Sequence, residues 1–343
     1  MKKNNIEILK EINSLIELYF QNKERIDFKP GRSKVALMNP SYDSKEVIQV
    51  VDSLLSTNIT LNNKASNKVF MFEKLWSDYI GVKNGIMVNS GSSANLLALF
   101  ALANPTTENF IKPGDEVITP AVTWHTTISP IIAIGAIPVL IDVKMEDCTI
   151  DASKIESEIN AKTKAIMPVH LLGNPAQMDI INYLAKKYNL YVIEDTCEAH
   201  GALYKNQKCG GLGDIGTFSF FFSHHITTME GGMIMSNNDH LSELIRIMRS
   251  QGVIRNTLNK EMLVKEYKEN IDYKDIDPNY LFANIGFNLR PTELNGGFGL
   301  EQIKKIDPIL EHRRRIGNYL LDKLEKHSEF FQFPIQNRQD SAW

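Results

Sequence analysis

The chain has 343 residues, 43% hydrophobic and 23% charged, with 41 acidic residues nearly balancing 38 basic ones. That is the composition of an ordinary globular protein, long enough for more than one domain. The lack of a basic excess argues against a nucleic-acid or membrane-surface partner, and no apolar run is long enough to cross a bilayer.

The first residues start basic but soon carry Glu7, Glu11 and Glu17, where a signal peptide needs an unbroken apolar stretch. Residues 5–26 read as an amphipathic helix with Ile8, Ile12, Leu15 and Tyr19 on one face. Pro30, Gly31 and Pro40 break that pattern, and helical spacing returns in "SKEVIQVVDSLLST" and "NKVFMFEKLWSDYIG". From Gly85 onward short apolar runs alternate with helical stretches: "GIMV", "DEVITP", "IPVLIDV", "KAIMPVH" and "LYVIED" are separated by segments with helical spacing. This alternation predicts repeated βαβ units around a mainly parallel, buried sheet. "ALYKNQKCGG" reads as a hairpin, "GTFSFFF" and "GMIMS" as further strands, and the remainder as mostly helical. The expected division is an N-terminal helical extension (1–45), a large α/β domain (46–250) and a smaller C-terminal α/β portion (251–343). "FFQFPIQNRQDSAW" starts like a strand and then stops, so the last portion reads as incomplete. Three scattered cysteines, Cys148, Cys197 and Cys209, suggest no disulfide framework and fit a reducing cytoplasm.

Three stretches carry chemistry. In "NSGSSANLLALFAL", Gly91, Ser92 and Ser93 lie between a strand and a helix, where free backbone N–H groups make an anion site and serine hydroxyls add donors. The same serines could simply cap the helix. In "VIEDTCEAHGA", Asp195 sits at the C-terminal end of a buried strand, where open α/β sheets gather ligands, and Glu198 can face the same pocket. In "PAVTWHTTISP", Trp124 follows another strand end, placed to stack on a planar ligand or to pack between domains. Together they describe a phosphate cradle, an aromatic plate and a carboxylate for a protonated heterocycle nitrogen, as pyridoxal phosphate (PLP) requires.

With "NSGSSANLLAL", "GDEVITPAVTWHTT", "MPVHLLGNPAQMD", "VIEDTCEAHGA", "GDIGTFSFFFSHHITTMEGG" and "IGFNLRPTELNGGFGLEQIKKI", the chain from about Met38 onward resembles the DegT/StrS-type sugar aminotransferase and dehydratase family. The resemblance implies the fold-type I architecture of aspartate aminotransferase. It implies that Ser92, Ser93 and Ser219 hold the cofactor phosphate, that Trp124 stacks on the ring and that Asp195 meets its nitrogen. Glu198 would sit near the ring hydroxyl. Asn288 would reach the phosphate of a second subunit, which implies a homodimer with shared active sites.

The family's aminotransferases read approximately S-F-x-P-x-K where this chain has "SFFFSH", so the lysine position is His224. No lysine lies between Lys208 and Lys260. Imidazole cannot hold the cofactor covalently but can act as a base. The resemblance therefore narrows to nucleotide 4-keto-6-deoxy-sugar 3-dehydratases, in which the pyridoxamine form (PMP) carries the keto sugar, His224 moves the C4′ proton and a C3 hydroxyl leaves. An iron–sulfur cluster, present in the CDP-linked group, needs four thiolates; with three cysteines and none beyond Cys209 the resemblance favours the colitose type, with L-glutamate regenerating PMP. No metal is expected. Competing readings are a sugar aminotransferase with a lysine from elsewhere, or a sensor that keeps the pocket without catalysis. Contacts that choose the nucleotide fall in variable loops, with "TLNNK" near Thr60 and the loop after Gly252 as candidates.

Overall fold

The computed structural model describes residues 4–23, 28–36, 40–61, 67–254, 277–333 and 340–343, together with residues 257, 261, 264, 265 and 269. Helices α1 (Asn5–Gln21), α2 (Ser44–Leu55) and α3 (Lys68–Ile80) come first. Reciprocal capping boxes start two of them, Asn4 with Glu7 on α1 and Asp43 with Glu46 on α2, each satisfying two backbone donors. Gly81, at φ +87°, ends α3 in the left-handed conformation that glycine adopts without penalty.

The alternating region then builds β1 (Asn84–Val88), α4 (Gly91–Leu102), β2 (Glu116–Pro120), α5 (His125–Ala133), β3 (Ile137–Ile141), α6 (Ala152–Glu158), β4 (Thr163–Ile166), α7 (Met178–Tyr188) and β5 (Tyr191–Asp195). A hairpin of β6 (Leu203–Tyr204) and β7 (Gln207–Lys208) follows, then β8 (Ile215–Ser219), β9 (Gly232–Ser236) and α8 (Asp239–Arg249). Further on, α9 (Glu293–Gln302) packs against α2 and α3, and α10 (Ile306–Leu324) follows it.

Seven strands form one sheet in the order β1-β9-β8-β5-β4-β2-β3. Within it β2, β3, β4, β5 and β8 pair in parallel, and β9 runs antiparallel between β8 and β1. Strand alternation sorts side chains to two faces. Ile86, Val88, Ile193, Ile215 and Ile234 pack with α4 and α8, whereas Met87, Phe218, Met233 and Met235 pack with α3 and Trp76. Consecutive β5 residues Val192 and Ile193 thus belong to different cores, and the next two, Glu194 and Asp195, continue the alternation.

β1 is an edge strand, and an edge leaves backbone groups unpaired. Here a buried ion cluster covers them. The Met87 N–H donates to Glu73 Oε1 at 2.8 Å, Arg246 donates to the Gly85 carbonyl at 3.0 Å, and Arg249 to the Met87 carbonyl at 2.6 Å. Glu73 holds both guanidiniums, at 3.0 Å from Arg246 and 2.7 Å from Arg249. Burial pushes the Glu73 carboxyl up, but the two arginines and the Met87 N–H draw it below the usual carboxylate range. Because Arg249 is fully buried, removing its counter-charge leaves a charge with nowhere to go. Glu73→Gln is expected to destabilise the fold by about 3–5 kcal/mol, read as a lower denaturant midpoint at unchanged m-value.

Candidate active site

The C-terminal ends of β1, β2, β4, β5 and β8 open onto one cavity of about 410 Å³. Gly91, Ser92, Trp124, Asp195, Glu198, Ser219 and His224 all line it. The topology explains why residues so far apart meet. Each belongs to the turn that leaves a strand at the same edge of the sheet, where doubly wound α/β folds bind their ligands.

Asp195 is the anchor. It is buried at the end of β5, and its Oδ2 accepts from Asn95 Nδ2 at 2.8 Å and from Thr127 Oγ1 at 2.8 Å. Its Oδ1 accepts the Cys197 N–H at 3.2 Å. Asn95 and Thr127 escaped sequence reasoning, and only Asn95 has a local signal. Asn95 lies four residues after Gly91, one helical turn into α4. Pro130 inside α5 has no N–H, so the Thr126 carbonyl loses its helical donor, and Asn95 Nδ2 donates to that carbonyl at 3.2 Å. Thr217 Oγ1 donates to Asn95 Oδ1 at 2.6 Å, which fixes the amide's orientation. One carboxylate oxygen is thus immobilised, while the other, with a single backbone donor, has room for a cationic N–H in the cavity wall.

The anion end lies at the start of α4. Ser90 caps the helix by accepting the Ser93 N–H at 3.1 Å, and its hydroxyl donates to Ser93 Oγ at 2.9 Å. Ser93 is therefore turned to the cap and does not line the cavity, while the N–H groups of Gly91 and Ser92 have no intrahelical acceptor. The turn presses against β8 and β9. A Cβ on Gly91 would stand 2.4 Å from Ser219 Cβ, and one on Gly232 would stand 2.2 Å from the Ser90 carbonyl oxygen. Those contacts bring the Ser219 hydroxyl beside the helix N-terminus, an arrangement of donors that suits an anion.

Trp124 is 69% exposed at the cavity mouth, its ring 5.6 Å from that of His125. Glu198 Oε2 accepts the N–H of Leu172 at 2.8 Å, holding a turn in which Leu172 adopts φ +53°. Asn288 lies outside this cavity, where its Oδ1 accepts from Arg290 Nε at 3.1 Å. Of the loops proposed to select the nucleotide, Asn62, Asn63 and Lys64, and most of residues 255–276, lie outside the described residues.

The adjacent histidines diverge. His224 lines the cavity, whereas His225 is buried with Nε2 at 3.2 Å from the Ala342 carbonyl. Burial lowers His224 to about 4; Asp195 opposes that shift and Arg313 adds to it. Burial and then Arg313 lower His225 to about 3, and His200, behind both, is held well below the ordinary value by burial and by its two neighbours. At neutral pH His224 is thus an uncharged imidazole with one ring nitrogen able to accept a proton.

A second cluster lies beneath the cavity floor. His170, Glu194 and Cys209 are all buried and close enough to share a metal ion. Glu194 is already saturated. It accepts from Leu212 and Gly213 at 2.7 Å each, from Gly210 at 2.8 Å and from His170 Nε2 at 3.0 Å. The Ala176 N–H donates to His170 Nδ1 at 3.0 Å, which places the proton on Nε2 and occupies the other lone pair. The cluster is a hydrogen-bonded clamp.

A mainly parallel sheet with an anion-suited turn, an immobilised carboxylate and an aromatic side chain at its carboxyl edge fits a pyridoxal-phosphate-dependent enzyme of fold type I. The profile of the DegT/DnrJ/EryC1/StrS aminotransferase family matches residues 41–343, and the chain belongs to that family. Lipopolysaccharide biosynthesis protein RfbH of Salmonella typhimurium is 36% identical over 97% of this chain and 77% of its own. GDP-4-keto-6-deoxy-D-mannose 3-dehydratase of Yersinia pseudotuberculosis is 36% identical over 85% of this chain and 72% of its own. A solved GDP-4-keto-6-deoxymannose-3-dehydratase with a trapped PLP-glutamate geminal diamine superposes at a TM-score of 0.81 with 32% identity, covering 90% of this chain and 78% of that one. No described helix is long and apolar enough to cross a membrane.

Two outcomes follow from this geometry. Gly91→Ala drives a methyl into Ser219, so PLP affinity is expected to fall at least about tenfold, a loss of about 1.4 kcal/mol, while the fold persists; fluorescence titration with PLP reads it. The depressed histidines give an acid limb to stability. Unfolded, His200, His224 and His225 take up protons below about pH 6.5; folded, His224 and His225 resist until about 4 and 3. The contribution of these three histidines is therefore complete above about pH 6.5 and is lost as the pH falls toward those values, and urea midpoints measured from pH 7 to 4.5 are expected to decline steadily.

Proposed function

We propose that this chain catalyses PLP/PMP-dependent 3-dehydration of a nucleotide-linked 4-keto-6-deoxy sugar, with L-glutamate restoring the amine form of the cofactor. The observation that carries the reading is His224: an uncharged imidazole lines the cavity at the position where the family's aminotransferases have lysine. When bound, the cofactor supplies a pyridinium electron sink and an amine that accepts a keto sugar.

The chain's residues divide the remaining work. Asp195 Oδ1 keeps the pyridine nitrogen protonated, and Asn95 and Thr127 keep that carboxylate from turning away. The Gly91 and Ser92 N–H groups and the Ser219 hydroxyl hold the phosphate, while Trp124 covers the ring. His224 accepts the proton at C4′ and delivers it to the departing C3 hydroxyl, which one imidazole can do because it is neutral at the outset. With no amine at that position, the residue cannot compete with glutamate for the cofactor aldehyde.

We further infer a homodimer that works in the cytoplasm, in which Asn288 serves the partner's cavity and Trp124 is covered across the interface. The exposure of Trp124, and a place for Asn288 beside its own cavity but not in its lining, support this. The division into residues 1–45, 46–250 and 251–343 belongs to the same reading.

His224→Asn is expected to lower dehydration by about 10²–10⁴-fold while PLP binding stays within a few fold, read by ammonia release and by mass detection of the 3-deoxy product. Borohydride reduction followed by peptide mapping is expected to find no lysine carrying the cofactor; a pyridoxyl-lysine peptide would instead indicate an aminotransferase.

A further inference from the structure

We propose that His225 is a positioning residue for this reaction: its buried Nε2–H ties the Ser223–His225 turn to the Ala342 carbonyl, and that bond fixes where His224 stands. The role assigned to His224 rests on the dehydration reading; the placement of its ring does not.

The bond has a defined direction. A carbonyl only accepts, so the His225 proton sits on Nε2, 3.2 Å from Ala342 O. His225 Nδ1 is buried and has no partner among the described residues, so this is the ring's one polar tether. The turn itself is short, closed by the His224 N–H donating to the Phe221 carbonyl at 3.1 Å. A tether on one residue of such a turn restrains the next.

The acceptor is firmly held. Leu203 N–H donates to the Asp340 carbonyl at 2.8 Å, and Arg314 Nε donates to the Ser341 carbonyl at 3.0 Å. The Ala342 N–H donates to the Gly173 carbonyl at 2.9 Å, and the Ser341 hydroxyl to the same oxygen at 3.0 Å. Gly173 closes the turn whose Leu171 lines the cavity and whose Leu172 N–H binds Glu198. Residues 340–342 thus form a strap behind the cavity, joined to the Leu171 turn through Gly173 and to the His224 turn through His225. His200 fills the space between, its ring 5.1 Å from His225 and 5.8 Å from His224.

If His225 were only core filling, a ring without a donor would serve as well. Burial lowers His224, Asp195 opposes that shift and Arg313 from α10 adds to it; Glu198 and Glu230 line the same cavity, and the His200 ring packs beside His224 and His225.

His225→Phe keeps the ring and removes the donor, whereas His225→Gln keeps a donor. In the phenylalanine variant kcat is expected to fall about 100-fold, as for a misplacement of about 1 Å, with KM and PLP affinity within about twofold; glutamine is expected to recover most of the loss. In cofactor-free protein, the His224 ring resonance followed by NMR is expected to titrate nearer the ordinary histidine value in the phenylalanine variant than in the parent. Arg314→Met, which loosens the strap and leaves His225 intact, is expected to move the same resonance the same way and supplies the test where His225→Phe does not fold. An unchanged His224 titration in both variants overturns the proposal, as does a glutamine variant as impaired as phenylalanine. A parent protein without dehydratase activity would overturn the functional reading alone, since the resonance still reports the placement.

Discussion

Two consecutive carboxylates at the end of β5 organise this molecule. Strand geometry sends Glu194 and Asp195 to opposite faces, and neither can be buried unless its oxygens are paired. Glu194 gathers the N–H groups of Gly210, Leu212 and Gly213 and the His170 ring, which pins the loop after β7 and the end of β4 beneath the sheet edge. Asp195 gathers Asn95 from α4 and Thr127 from α5, which locks two helices above it. A single strand end thereby sets the floor and the back wall of the cavity. The oxygen left with one backbone donor is the point at which the scaffold turns into a binding site.

Much of this was legible in the sequence because the physics is local. Short apolar runs alternating with helical spacing placed the strands and helices from β1 to α8 in order, and glycine between strand and helix at Gly91 marked the turn that starts α4. Asp195 and Trp124 were readable as residues at strand ends, Ser219 came from the family resemblance, and the sheet does bring all three to one edge. What was not legible depends on partners distant in sequence. That β9 runs antiparallel follows from its pairing with β1 and β8, which periodicity does not encode. Ser93 looks like Ser92 in the sequence, yet capping by Ser90 turns it inward. Asn95 and Thr127 carry no motif of their own; their role appears only when Pro130 frees a carbonyl and α4 meets α5. Only the family register assigned the lysine position to His224; local pattern could not separate the two histidines, because what separates them in the fold is a carbonyl more than a hundred residues later.

Replacing a lysine with histidine at one position would be inert in most surroundings. Here it sits in a pocket that suppresses positive charge: burial lowers His224, and the neighbouring imidazoles are themselves neutral. A lysine there would need a covalent partner or a counter-ion to remain buried, whereas a neutral imidazole needs neither. The same surroundings that deny charge to the resting base make a proton, once taken, costly to keep, which suits a residue meant to pass it on. The proposed chemistry and the electrostatics of the turn point the same way.

The way the sheet is closed has a consequence for how the protein is made. β1 leaves the ribosome early but pairs with β9, so Asn84 waits for Ser236, and the strap at 340–342 arrives later still. Until then β1 exposes an apolar strand with both edges open, the situation in which chains associate wrongly. Pairings so distant in sequence are slow to form because chain entropy is lost before contacts compensate. The cofactor cavity is the seam at which these late pairings meet, so it is completed last, and a molecule that binds there stabilises the assembled form by mass action. Cofactor held in that seam therefore favours the closed sheet as well as the chemistry.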